Sequence, residues 1–109
     1  MKQSVPTEPS WRFLTNHGNA LLCIARDPDA RARDIAERVG ITERAAQRIV
    51  ADLIAGGYIH RTKVGRRNRY QINRHGHLRH PLVADFEIGP LVDILYSSDG
   101  AGPEPADRR

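Results

Sequence analysis

Residues 33–44 read Arg33-Asp34-Ile35-Ala36-Glu37-Arg38-Val39-Gly40-Ile41-Thr42-Glu43-Arg44. Ile35, Ala36 and Val39 recur at helical spacing and make one apolar face. Asp34 stands four residues before Arg38, the favourable order for a charged pair on a helix. Gly40 supplies a C-terminal stop, because a glycine enters the left-handed region without steric cost. Thr42 is a good N-cap for a following helix that has Glu43 in its first turn. That helix carries an apolar stripe of Ala46, Ile49, Val50 and Leu53, and Gly56-Gly57 ends it. Two helices joined by a turn this short must cross. The small Ala36 permits the close approach, and Ile35, Val39, Ile41 and Ile49 form the shared core. Ala46 departs from the pattern, since a β-branched residue is common there.

Upstream, a helix is expected from Thr15 or Asn16, either of which can cap it, with Gly18 blurring its start. Ala20, Leu21, Ile24 and Ala25 make its face, Leu22 and Cys23 widen the apolar surface, and Asp27-Pro28 stops it. Ala30 to Ala32 is a link. Downstream, Tyr58 to Val64 and Arg69 to Asn73 are strand-like, with Gly65-Arg66-Arg67-Asn68 as the turn between them, which is a hairpin with a basic tip. A loop rich in His and Arg runs on to Pro81. In the last apolar segment, residues 82–96, Gly89-Pro90 is expected as a break. Pro90 then opens a helix carrying Leu91, Val92, Ile94 and Leu95. The expected organisation is a disordered segment over 1–10, one domain over 11–97, and a disordered acidic tail over 98–109.

At 109 residues and 39% hydrophobic, the chain suits one small domain and excludes most two-domain enzyme architectures. No apolar run approaches the roughly 18 residues that span a bilayer. Met1 to Pro9 is polar and broken by proline, without the apolar stretch of a secretion signal, so a cytoplasmic protein is expected. The single Cys23 cannot staple the fold or complete a four-cysteine zinc site. Charge is distributed unevenly: residues 1–30 are net neutral, 31–80 carry +8 and 81–109 carry −4, within an overall +4. A basic middle favours a polyanionic partner. Of the 17 basic residues 15 are Arg. A GC-rich genome alone can produce that bias, so placement carries the argument.

In the order helix, helix, tight turn, helix, basic hairpin, the sequence resembles winged helix-turn-helix transcriptional regulators of the MarR-like and ArsR-like kind. The stretches that carry the resemblance are residues 33–44 and Ile49-Val50-Ala51-Asp52-Leu53-Ile54-Ala55-Gly56-Gly57-Tyr58-Ile59, within residues 15–75. It is closest to small stand-alone bacterial members that have no separate sensor domain. The fold class implied is mainly α with a small β-hairpin wing. The resemblance also implies a recognition helix over 42–56 in the major groove, and a wing over 58–73 on flanking backbone or minor groove. Thr42, Glu43, Arg44, Gln47 and Arg48 are then the DNA-facing residues of the helix. Arg44 and Arg48, four apart, repel each other by a few tenths of a kcal/mol, roughly, unless phosphate or a base edge receives them. Either can bond guanine and Gln47 can bond adenine; the alternative is a solvated face, with Arg48 partly neutralised by Asp52 one turn on. On the wing the expected contacts are Arg61, Lys63, Arg66, Arg67 and Arg69, with Arg74 adding charge and Arg31 and Arg33 as lesser backbone contacts.

One recognition helix buries little surface, so a homodimer on a palindromic site is expected. Its expected interface is Leu21, Leu22, Ile24, Leu91, Val92, Ile94 and Leu95, with Phe86 and Tyr96 at its margin. The acidic tail is expected to keep that end away from DNA. His75, His77 and His80 are weak metal candidates, opposed by the cationic Arg74 and Arg79. No cofactor is expected, no catalytic arrangement is present, and no small-molecule effector can be named. Two rivals remain open: a winged-helix adaptor that binds protein, and a metal-responsive repressor.

Overall fold

The structure, a computed structural model, describes residues 11–97. The two expected disordered ends, 1–10 and 98–109, lie outside the described residues. The order is α1 (Asn16–Arg26), α2 (Ala32–Val39), α3 (Glu43–Ala55), β1 (Ile59–Val64), β2 (Arg67–Ile72) and α4 (Ile88–Ser97). The chain is mainly α with a two-stranded antiparallel hairpin after the third helix, as a winged helix-turn-helix requires.

Local chemistry sets the boundaries. The Thr15 hydroxyl accepts from the Gly18 N–H at 3.1 Å and caps α1. At the start of α2, Asp34 reaches back to accept from the Arg31 backbone N–H at 3.0 Å. That bond, above the attraction of nearby arginines, holds the Asp34 carboxyl below its ordinary range. The expected Asp34–Arg38 pair does not form: Arg38 instead bonds Asp27 at 3.2 Å, across the α1–α2 corner. Gly40 sits at φ 87°, and both its N–H and that of Ile41 return to the Ala36 carbonyl. The chain can then reverse within two residues, so α3 starts at once.

The Thr42 hydroxyl accepts from the Ala45 N–H at 3.0 Å, so α3 opens on a satisfied donor. Thr42→Ala should lower unfolding free energy by about 1 kcal/mol, whereas Thr42→Ser should restore it. Urea unfolding checks this, and unchanged stability in the alanine variant would show that the cap contributes nothing.

The core is one cluster. Ala20, Leu21 and Ile24 of α1, Ile35, Ala36 and Val39 of α2, and Ala46, Ile49, Val50 and Leu53 of α3 meet beneath Ile59 and Tyr70 of the hairpin. Ala46, the departure from the pattern, is fully covered. Ile88 and Val92 of α4 close the cluster. The hairpin is otherwise open to solvent and projects from this core. Its turn is tighter than expected: Val64 pairs with Arg67, leaving only Gly65-Arg66 between the strands, so β2 starts two residues before the expected Arg69.

Gly89-Pro90 does not break the last segment. Both residues lie in the first turn of α4, where proline costs no hydrogen bond because the first N–H groups of a helix have no partner within it. The N–H groups of Ile88 and Gly89 are satisfied instead by the carbonyls of Gly76 and Arg74, at 2.7 and 2.9 Å.

Candidate nucleic-acid interface

Burial of the α3 stripe turns the other side of the helix outward. Thr42, Glu43, Arg44, Gln47 and Arg48 are all exposed, on consecutive turns. Asp52 does not neutralise Arg48: it binds His17 of α1 at 2.8 Å. Among the described residues the guanidinium groups of Arg44 and Arg48 make no ion pair or hydrogen bond. The outer face of α3 therefore holds two cations outside any ion pair, the Gln47 amide and the Glu43 carboxylate. Thr42 uses its oxygen for the cap and keeps its proton to donate.

The hairpin brings further cations to the same side. Arg61, Lys63 and Arg66 are exposed, and their charged ends have no partner among the described residues. Arg69 differs from the expectation, being gripped by both oxygens of Asp29, at 2.9 and 3.1 Å. Arg67 donates to the Asp29 carbonyl at 3.4 Å, and the Tyr70 N–H bonds the Pro28 carbonyl at 2.9 Å. The α1–α2 link thus anchors β2, and Asp29 is a residue that sequence reasoning missed. No local pattern could have shown it, since Arg69 lies 40 positions away. Arg74 likewise is held by both oxygens of Asp93, at 2.8 and 2.6 Å, and is not available along the hairpin.

The hydrogen bond from Arg69, more than its charge alone, holds the Asp29 carboxyl below its ordinary range. The folded pKa is thus below the unfolded one, so the stabilisation is complete above about pH 4 and is lost as pH falls through the folded value. Asp29→Asn should destabilise the protein at neutral pH, and its difference from wild type should shrink below about pH 4. Thermal unfolding across pH reads this directly. A difference that does not change with pH would contradict the pair.

The apolar residues expected at a dimer surface divide in two. Leu21, Ile24 and Val92 are buried in the chain's own core. Leu22, Leu91 and Leu95 are half-buried, while Ile94 and Phe86 are 65% and 62% exposed. For the first three, helical spacing marked an apolar face without saying that the chain's own core covers it.

The three histidines turn to separate partners. His75 Nδ1 faces Glu87 at 3.2 Å, His77 Nδ1 faces the Ala84 carbonyl at 2.6 Å, and His80 Nδ1 accepts from the Leu82 N–H at 3.1 Å. Among the described residues no three His, Cys, Asp or Glu side chains are grouped to hold a metal ion. A groove of about 740 Å3 lies at the C-terminal end of α3, with Leu21, Leu53, Tyr58, Leu78 and Arg79 in its lining.

The model of the MarR family matches residues 14–69, from the start of α1 into β2 and just over half of the chain. The chain belongs to the MarR family. No curated protein matches it. MarR-family proteins are DNA-binding transcription regulators, a family of regulators and not of enzymes, and their partner is double-stranded DNA. The match ends within the hairpin, so the loop after it and α4 lie beyond the shared region. Among the described residues of this MarR-family chain no helix is long and apolar enough to cross a membrane.

Proposed function

We propose that this protein is a sequence-specific transcription regulator that binds double-stranded DNA as a homodimer, with α3 in the major groove and the β1–β2 hairpin on flanking backbone or minor groove. The observation that carries the reading is the outer face of α3, where Arg44 and Arg48 stand exposed beside Gln47 without a partner among the described residues. Two adjacent cations left unpaired raise the energy of the free protein slightly and lower it on a polyanion. Leu22, Leu91, Ile94 and Leu95 are the dimer contacts in this reading, and a two-fold axis then sets two copies of α3 on a palindrome.

Selection from random duplex DNA at two salt concentrations tests it. The expected result is enrichment of a palindromic sequence. Binding that falls steeply with salt and enriches nothing would reduce the protein to a backbone binder. Absence of binding at either salt would overturn the DNA reading and favour a protein-binding adaptor.

A further inference from the structure

A second concavity, of about 480 Å3, lies where the link before α2, the middle of α3 and the hairpin meet. Arg31, Gln47, Arg61, Arg66, Arg67 and Asn68 line it. Its apolar lining is Ala30, Ala32, Val50 and Tyr70, which belong to the core or pack against it. The walls therefore stand on packed elements. Two acidic residues lie close by and both are engaged: Asp29 with Arg69, and Asp34 with the Arg31 backbone and, at 3.8 Å, its side chain. Arg67 donates to the Asp29 carbonyl. The Arg61 and Arg66 guanidiniums have no partner among the described residues.

Four arginines lining one concavity suit an anion better than a base edge, which carries no net charge. Arginine presents paired donors that fit the two unesterified oxygens of a phosphodiester. The position is equally specific. With α3 in one groove and the hairpin over the next, a DNA strand has to pass between them, which is where the concavity lies. We propose that this slot seats a single backbone phosphodiester of the bound DNA, and that Gln47, on the slot side of α3, donates to that phosphate and does not read adenine. The proposal rests on the DNA-binding reading above and assigns base reading to Arg44 and Arg48 alone.

The test uses the selected duplex carrying one neutral methylphosphonate, moved phosphate by phosphate, against wild type, Arg31→Ala, Arg61→Ala and the double variant. All are exposed side chains, and melting temperature confirms folding. One position per half-site should cost wild type at least tenfold in affinity, as an order of magnitude for one charge-assisted contact, and cost the double variant clearly less, since only Arg66, Arg67 and Gln47 then remain on that phosphate. Because Arg31 and Arg61 share one phosphate, the double variant should lower the slope of log affinity against log salt by no more than about 0.9 per half-site, not by about 1.8. Gln47→Ala should weaken every single-base variant of the operator equally. Two independent sensitive positions, a slope change near 1.8, or a Gln47→Ala effect confined to one base pair would overturn the seat while leaving the regulator reading intact. Failure to bind any duplex would overturn both.

Discussion

The double variant Arg44→Ala/Arg48→Ala should lose nearly all discrimination between operator and random duplex. A bidentate contact from arginine to guanine discriminates by about 1–3 kcal/mol, so the pair accounts for roughly 2–6 kcal/mol per half-site, or about 30-fold to more than 10⁴-fold. Binding to random DNA should weaken far less, because the hairpin cations remain. The protein itself should be as stable as wild type or slightly more so, since a like-charge pair one turn apart costs roughly 0.2–0.5 kcal/mol. Titrating operator and random duplex side by side at fixed salt separates the two effects. An unchanged ratio of the two affinities would remove α3 from base recognition.

The largest stability effect should come from Ile35→Ala. Among the described residues Ile35 is one of the two largest side chains that are wholly buried, on the face that α2 turns to the core it shares with α1 and α3. Truncation there removes transfer free energy and leaves a cavity in the core, at a cost of about 2–5 kcal/mol. A small domain has only about 5–15 kcal/mol in total, so the variant should show a much lower urea midpoint and weakened DNA binding that follows unfolding. Leu22→Ala, at a half-buried position, should cost less than half as much. A loss below 1 kcal/mol at Ile35 would mean that the helix crossing is not sealed there.

What could be read from the sequence followed the range over which each cause acts. Gly40, Thr15 and Thr42 do their work within four residues, so the turn and the caps were legible, as was the outward face of α3 once its stripe was seen. The hairpin was legible as a pair of strands but misread in its turn, because Arg67 and Asn68 resemble turn residues until the register is known. Gly89-Pro90 misled for a related reason: proline stops a helix from inside but is harmless in its first turn. The expected pairs Asp34–Arg38 and Arg48–Asp52 were sound as helix chemistry. They lost to Asp27 and His17, which the packing of α1 brings up from elsewhere. Asp29 and the phosphate slot depend on three elements meeting, and no window of sequence contains them.

The contact between the hairpin exit and α4 has a mechanical consequence. A side chain at Gly89 would put its Cβ 2.9 Å from the Arg74 carbonyl, so a residue without one lets the two segments touch, and the Arg74–Asp93 grip locks them. The chain leaving the hairpin and the first turn of α4 thus share one joint, and any side chain at Gly89 has to push the Arg74 backbone away to fit.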